Sequence, residues 1–261
     1  MNVEPDGRIN GGNVPSRAIR VPPLVVSPGG GGLAQSVARQ IADAIHLGLM
    51  APGEQLPSEG VLAGHLGVST MTLREALVAL RQEGLIETRR GRNGGSFVRP
   101  FGSLSVPRVR DQLRALSATE LRGIGDERLA VQGTAAQLAA RRASAANVEH
   151  LRDLSTELVQ ADSLGDKART HNRFWIEVSL ASQSERLTYA SMRLQSSVGE
   201  MLWLPGVMPI DQKALSEELV SLAQAIAIEA DAAARRLAES LLDRTTRWLI
   251  DAHLNLTRRR R

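Results

Sequence analysis

Apolar residues recur at helical spacing over most of this chain and alternate at strand spacing almost nowhere. Val37, Ile41, Ile45 and Leu49 fall on one helix face, and the Pro- and Gly-containing "APGEQLP" then breaks the helix. Ser58 follows a proline and precedes "EGVLAGHLG", which predicts an N-cap, a short helix and a stop at Gly67. Ser69 is the next predicted cap; it opens a helix that carries Leu73, Leu77 and Leu80 on one face and ends at Gly84. Two helices joined by the tight "LGVS" turn make a helix-turn-helix. The β-prone runs "LIETR" and "SFVR" follow, on either side of "RGRNGG", and Asn-Gly between such runs is a strong hairpin signal. Helix-turn-helix plus hairpin is a winged helix.

Beyond "PFGSLSVP" only helical periodicity remains: Leu121 to Arg142, then Val148, Leu151, Leu154 and Leu158 after a cap at Ser144, then segments around Phe174, Leu194, Leu222 and Trp248. The expected fold is mainly α, with an N-terminal winged helix-turn-helix carrying a small β-hairpin wing and a C-terminal all-α helical bundle. The expected division is a flexible arm over 1–32, rich in Gly, Pro and Asn; a winged helix-turn-helix DNA-binding domain over 33–99; a linker over 100–107; an all-helical domain over 108–256; and a basic tail over 257–261.

Charge and composition narrow the chemistry. The formal net charge is +4, and Lys167 and Lys213 are the only lysines, so the cations are almost all arginine. Arginine's planar fork suits phosphate and guanine, although a GC-rich genome yields the same bias. Cysteine is absent, which excludes disulfides, thiol nucleophiles and cysteine zinc sites and fits a reducing cytoplasm. No apolar run approaches the ~18 residues of a membrane span, and the first residues lack a signal peptide's apolar core. A cytoplasmic protein with no membrane partner is expected.

In a winged helix the second helix of the pair enters the major groove. The leucines of "TLREALVAL" then pack inward and leave Ser69, Thr70, Met71, Thr72 and Arg74 outward, near a helix N-terminus whose free N–H groups suit phosphate. Arg74 is the best base reader, because a guanidinium bonds guanine O6 and N7 together; a salt bridge along its own helix, for example to the neighbours of Glu75 or to Glu59, is its alternative role. Thr72 has helix capping as its alternative. The wing sets Arg89, Arg90 and Arg92 around Gly91, a glycine hairpin that lets arginines approach a nucleic-acid backbone.

These residues also resemble a known family. L-P-S-E, L-A, L-G-V-S, T-x-R-E-A-L, E-G-L-I and a glycine-rich wing ending in F-V, read from Leu33, look like the DNA-binding domain of the GntR family of bacterial transcription regulators. The family usually has arginine where Gly60 and Thr70 stand, so its usual operator does not carry over. The helical part resembles the effector-binding domain of the FadR subfamily: "ERLAVQGTAAQLAARRA" keeps an arginine at Arg128 but has Gln132 for a glutamate, and "LAQAIAIEADAAARRLAESLL" matches a late helix.

Many members of that subfamily hold a divalent metal with one Asp and three His. Here His171 stands at the Asp position, Trp175, Leu219 and Leu241 at the His positions, and a shifted register brings in only His253. No metal and no other cofactor is expected. Arg128, Gln132, His171 and Trp175 are instead the candidate lining of an apolar cavity that receives a small carboxylate or acyl ligand without metal; ordinary satisfied histidines are the plainer reading of His171 and His253.

The resemblance implies a homodimer that binds a double-stranded, near-palindromic DNA operator and represses until an acidic effector arrives. A DNA-binding dimer without effector response is the alternative. Some relatives carry a pyridoxal-phosphate enzyme domain, but that domain needs far more chain and a Schiff-base lysine; with no G-x-S-x-G, P-loop or H-E-x-x-H either, no enzyme is expected.

Overall fold

The computed structural model describes residues 32–91, 94–100 and 104–258. The N-terminal part is built from α1 (Leu33–His46), α2 (Glu59–Leu66), α3 (Thr70–Gln82) and a hairpin of β1 (Ile86–Arg89) and β2 (Gly95–Val98). Gly67 ends α2 at φ 68°, a left-handed conformation that glycine adopts without strain and that turns the chain into α3. Ser69 caps α3 by accepting from the Thr72 amide, whereas the Ser58 hydroxyl holds the N-cap position of α2 without making the expected capping bond. The hairpin is antiparallel, with Ile86 opposite Val98 and Arg89 opposite Gly95. "APGEQLP" does more than break a helix: Gln55 bridges to Phe97, and the Leu56 amide donates to the Ser96 carbonyl, which adds a short third rung to the wing.

The C-terminal part is all helix among the described residues: α4 (Val106–Ala115), α5 (Ala118–Arg128), a π-helical turn (Leu129–Gly133), α6 (Thr134–Arg142), α7 (Ala145–Gln160), α8 (Leu164–Ala181), α9 (Glu185–Val198), a 3-10 turn (Met201–Trp203), α10 (Gln212–Ala227) and α11 (Asp231–Arg258). Ser144 forms a capping box with Asn147. Two boundaries differ from expectation. The helix α4 starts at Val106, inside the stretch read as a linker, because Pro107 sits in the first turn, where no backbone N–H is needed. The helix α11 continues through Thr257 to Arg258, into the expected basic tail. The arm before Gly32 and the arginines after Arg258 lie outside the described residues.

Two apolar cores form. One fills the helical bundle around Phe174, Trp175, Leu202 and Leu242. The other joins α1, α2, α3 and the wing through Ile41, Leu62, Leu73, Leu80 and Ile86, and it includes Ile176 of α8 and Met192 of α9. Two residues of the helical part therefore complete the core of the winged helix.

Candidate functional site

The α3 amphipathicity decides what its first turn presents. Leu73, Ala76, Leu77 and Leu80 are buried, which leaves Ser69, Thr70, Met71 and Arg74 exposed and Thr72 half-buried. Met71 is 68% exposed, far beyond what packing alone gives a thioether. The Thr72 hydroxyl lies 2.8 Å from that of Ser69, so these two side chains brace one another at the cap. Arg74 Nε donates to Glu59 at 2.7 Å, an exposed ion pair with the first residue of α2. That is the alternative pairing considered for Arg74, and an exposed pair of this kind exchanges readily for another anion.

On the wing, Arg89 pairs with Glu87 at 2.9 Å and lies 4.2 Å from the Phe97 ring centre, so its guanidinium is held against the hairpin. Arg90 and Gly91 are exposed, and Gly91 has φ 112°. Arg92 lies outside the described residues.

The second cluster lies inside the helical part. Arg128, Gln132, His171 and Trp175 all have 1% exposure or less. Arg128 ends α5 beside α11 because Gly125, one turn earlier, lets the two helices close: a Cβ there would overlap Thr246 Cγ2. The guanidinium Nη1 donates to Thr245 Oγ1 at 3.2 Å and Thr246 Oγ1 at 3.3 Å, and both threonines pass their own protons to the Leu242 carbonyl. Nε and Nη2 have no partner, and no carboxylate pairs with the charge among the described residues. Burial pulls the Arg128 pKa down to about 10, which still leaves it a cation at neutral pH.

His171 Nε2 accepts from Trp175 Nε1 at 3.1 Å, which places the imidazole proton on Nδ1, itself without a partner. Burial, then the positive charge of Arg128, lowers the His171 pKa to about 3. Gln132 stands in the π-helical turn and donates to Ser191 Oγ at 3.0 Å, while its Oε1 is unpartnered. The indole Nε1 of Trp203 is also unpartnered, and its ring lies 6.0 Å from that of His171. Buried cation and N–H donors thus outnumber acceptors here, a composition that suits a carboxylate.

Metal binding does not fit these residues. Leu219 and Leu241 are buried apolar side chains, His253 sits apart and bonds the Leu113 carbonyl at 3.1 Å, and among the described residues no group of three or more His, Cys, Asp or Glu could hold a metal ion. Sequence reasoning missed Thr245, Thr246, Ser191 and Trp203. Thr245 carried a signal: it interrupts the apolar stripe Ala238, Leu241, Leu242, Leu249 of α11.

A winged helix with an exposed recognition turn, joined to a helical domain with a buried unpaired cation, defines a DNA-binding regulator with a sensing domain. Residues 33–98 match the family of bacterial regulatory proteins called gntR, and residues 124–244 match the FCD domain. The chain belongs to the GntR family: it is a helix-turn-helix transcription regulator, and its FCD domain is of the kind that binds a small-molecule effector. It is 36% identical over 225 residues to a protein of Mycobacterium gastri named as the HTH-type transcriptional regulator RmpR, covering 85% of this chain and 82% of that one. It is 36% identical over 164 residues to the HTH-type transcriptional regulator Mce2R of Mycobacterium tuberculosis, covering 61% and 68%. A crystal structure of a GntR-family regulator from Pseudomonas syringae aligns over 84% of this chain and 85% of that one, with 17% identity and a TM-score of 0.46. Among the described residues no helix is long and apolar enough to cross a membrane.

Proposed function

We propose that this chain is a cytoplasmic, FadR-type repressor that works as a homodimer on a two-half-site operator and responds to a small carboxylate bound without metal. The observation that carries the effector reading is the Arg128 guanidinium: buried, charged and partnered by two hydroxyls, in a cluster where the N–H groups of His171 and of Trp203 beside it have no partner. A carboxylate supplies the missing acceptors and the missing charge. Gln132 and Trp175 complete the lining as a polar acceptor and an indole wall.

On the DNA side, Arg74 leaves Glu59 for a guanine, Ser69, Thr70, Met71 and Thr72 meet the neighbouring bases and phosphates, and Arg89, Arg90, Gly91 and Arg92 follow the backbone. The exposed first turn of α3 supports this reading. The test is operator footprinting followed by anisotropy titration of the full chain. Arg74→Ala is expected to weaken binding and relax base choice at one position of each half-site, with about 1–3 kcal/mol of discrimination lost. Arg90→Ala is expected to weaken all sequences alike and reduce the salt slope by about 1. The opposite pattern reverses the two roles, and equal affinity for operator and scrambled DNA defeats the reading. Half-sites about one helical turn apart, together with a dimer mass in light scattering, check the homodimer.

A further inference from the structure

Between the winged helix and the helical domain lies a cavity of about 510 Å3, to which none of Arg128, Gln132, His171 and Trp175 contributes. Its walls come from both sides: Asp43 and Arg99 from the DNA-binding part, Asn172, Gln195 and Ser196 from α8 and α9. A volume of that size is ordinary for an organic ligand.

What makes it more than a crevice is the state of its amides. Gln195 is 1% exposed, and both its Nε2 and its Oε1 lack a hydrogen-bond partner; Asn172 is 2% exposed, and its Oδ1 lacks one. Buried amides are almost always satisfied, and three such atoms without a protein partner on one wall give a polar ligand donors and acceptors to bond. Gly199 lets α8 and α9 approach here, since a Cβ there would overlap Asn172 Oδ1. The charges at the rim are mostly matched already. Arg108 pairs with Glu200 at 2.7 Å and Arg169 pairs with Asp166, while burial raises the pKa of the Asp43 carboxyl above its usual value and so favours its neutral form. Arg99 has no ion-pair partner among the described residues.

Beside the Asp43 carboxyl and the His46 ring, the lining thus offers a ligand one guanidinium, Arg99, and the amides of Gln195 and Asn172. We infer that this inter-domain cavity is a second ligand site, separate from the Arg128 cluster, for a small hydroxylated organic anion: its charge on Arg99, its hydroxyls on Gln195 and Asn172. An occupant touches α1 of the reading head and α8 and α9 of the sensing domain at once, so it fixes how the two parts stand.

The test is isothermal titration of the full chain with sodium gluconate and, separately, glycerol 3-phosphate, which present the shared chemistry as carboxylate or as phosphate. At least one is expected to bind once per chain. Gln195→Leu and Arg99→Gln are each expected to lower that affinity tenfold or more, while Arg128→Met leaves it unchanged. Arg99 is exposed, so its variant keeps the test valid if Gln195→Leu fails to fold. Binding of neither probe, wild-type affinity in Arg99→Gln, or loss in Arg128→Met overturns the inference. The last result moves the probe to the Arg128 cluster, and absence of an effector at Arg128 leaves this site untouched.

Discussion

Replacing Arg128 by methionine separates a ligand-binding arginine from a structural one. In the fold the guanidinium is 1% exposed, and its pKa falls from the usual arginine value to about 10, which puts a penalty of about 3 kcal/mol on its charged form. Against that stand two hydrogen bonds to Thr245 and Thr246, at 3.2 and 3.3 Å. Bonds from a charged donor contribute roughly 1.5–3 kcal/mol each, and these are at the long end of the range. The two terms nearly cancel, and the threonines keep their bonds to the Leu242 carbonyl after substitution. Arg128→Met is therefore expected to melt within a few degrees of the wild type. A buried arginine with a protein carboxylate partner behaves differently: its removal costs about 3–5 kcal/mol, or roughly 6–20 °C in a chain of this size.

The assay is calorimetric or dye-monitored melting, with and without a panel of small carboxylates. An effector at a hundred times its dissociation constant stabilises the wild type by about 2.7 kcal/mol, and the variant by nothing. A large drop in the apo melting temperature of Arg128→Met, or an upward shift with carboxylate that survives the substitution, refutes the reasoning.

Four further outcomes follow from the same coordinates. His171 is held neutral in the fold with a pKa near 3, whereas the unfolded chain takes up its proton near pH 6.5, so its contribution is intact above pH 6.5 and is lost as pH falls towards 3; urea titrations should show about 2 kcal/mol less stability at pH 5 from this group, a loss absent in His171→Gln. Glu59→Gln releases Arg74 from its 2.7 Å ion pair, and operator affinity in an anisotropy titration should rise by less than tenfold; a fall would show that the pair positions Arg74 for DNA. Gly125→Val drives a side chain into Thr246 and should cost about 1–3 kcal/mol in denaturant melts while reducing the carboxylate shift. Ser69→Ala removes the α3 cap and should lower stability by about 1 kcal/mol, with unchanged stability as the refuting result.

The periodicity of Leu73, Leu77 and Leu80, the cap at Ser69 and the stop at Gly67 are local signals, and each element they imply is present. The wing's third rung was not legible, because Gln55 joins the sheet by a single bridge within a segment that has no alternation to read. The buried cluster was legible only in part. Arg128 and His171 stood out by resemblance and by chemistry, but the partners of Arg128 lie more than a hundred residues away on α11, and spacing along the chain does not reveal them. The π-helical turn that carries Gln132 was equally hidden, since one extra residue in a turn leaves the apolar pattern nearly intact. The helix α8 shows burial almost all round, with Phe174, Trp175, Ile176 and Val178 consecutive or nearly so. Such a pattern announces an interior helix without saying which neighbour each face meets.

Ile176 and Met192, buried in the core of α1–α3, bear on how freely this architecture can be recombined. A reading head cut out at Arg99 and grafted to another sensing domain loses two apolar plugs and exposes the hole they filled. Exchange of DNA specificity between relatives by domain swapping thus requires residues 176 and 192 to travel with the graft, although they lie well beyond the segment that touches DNA.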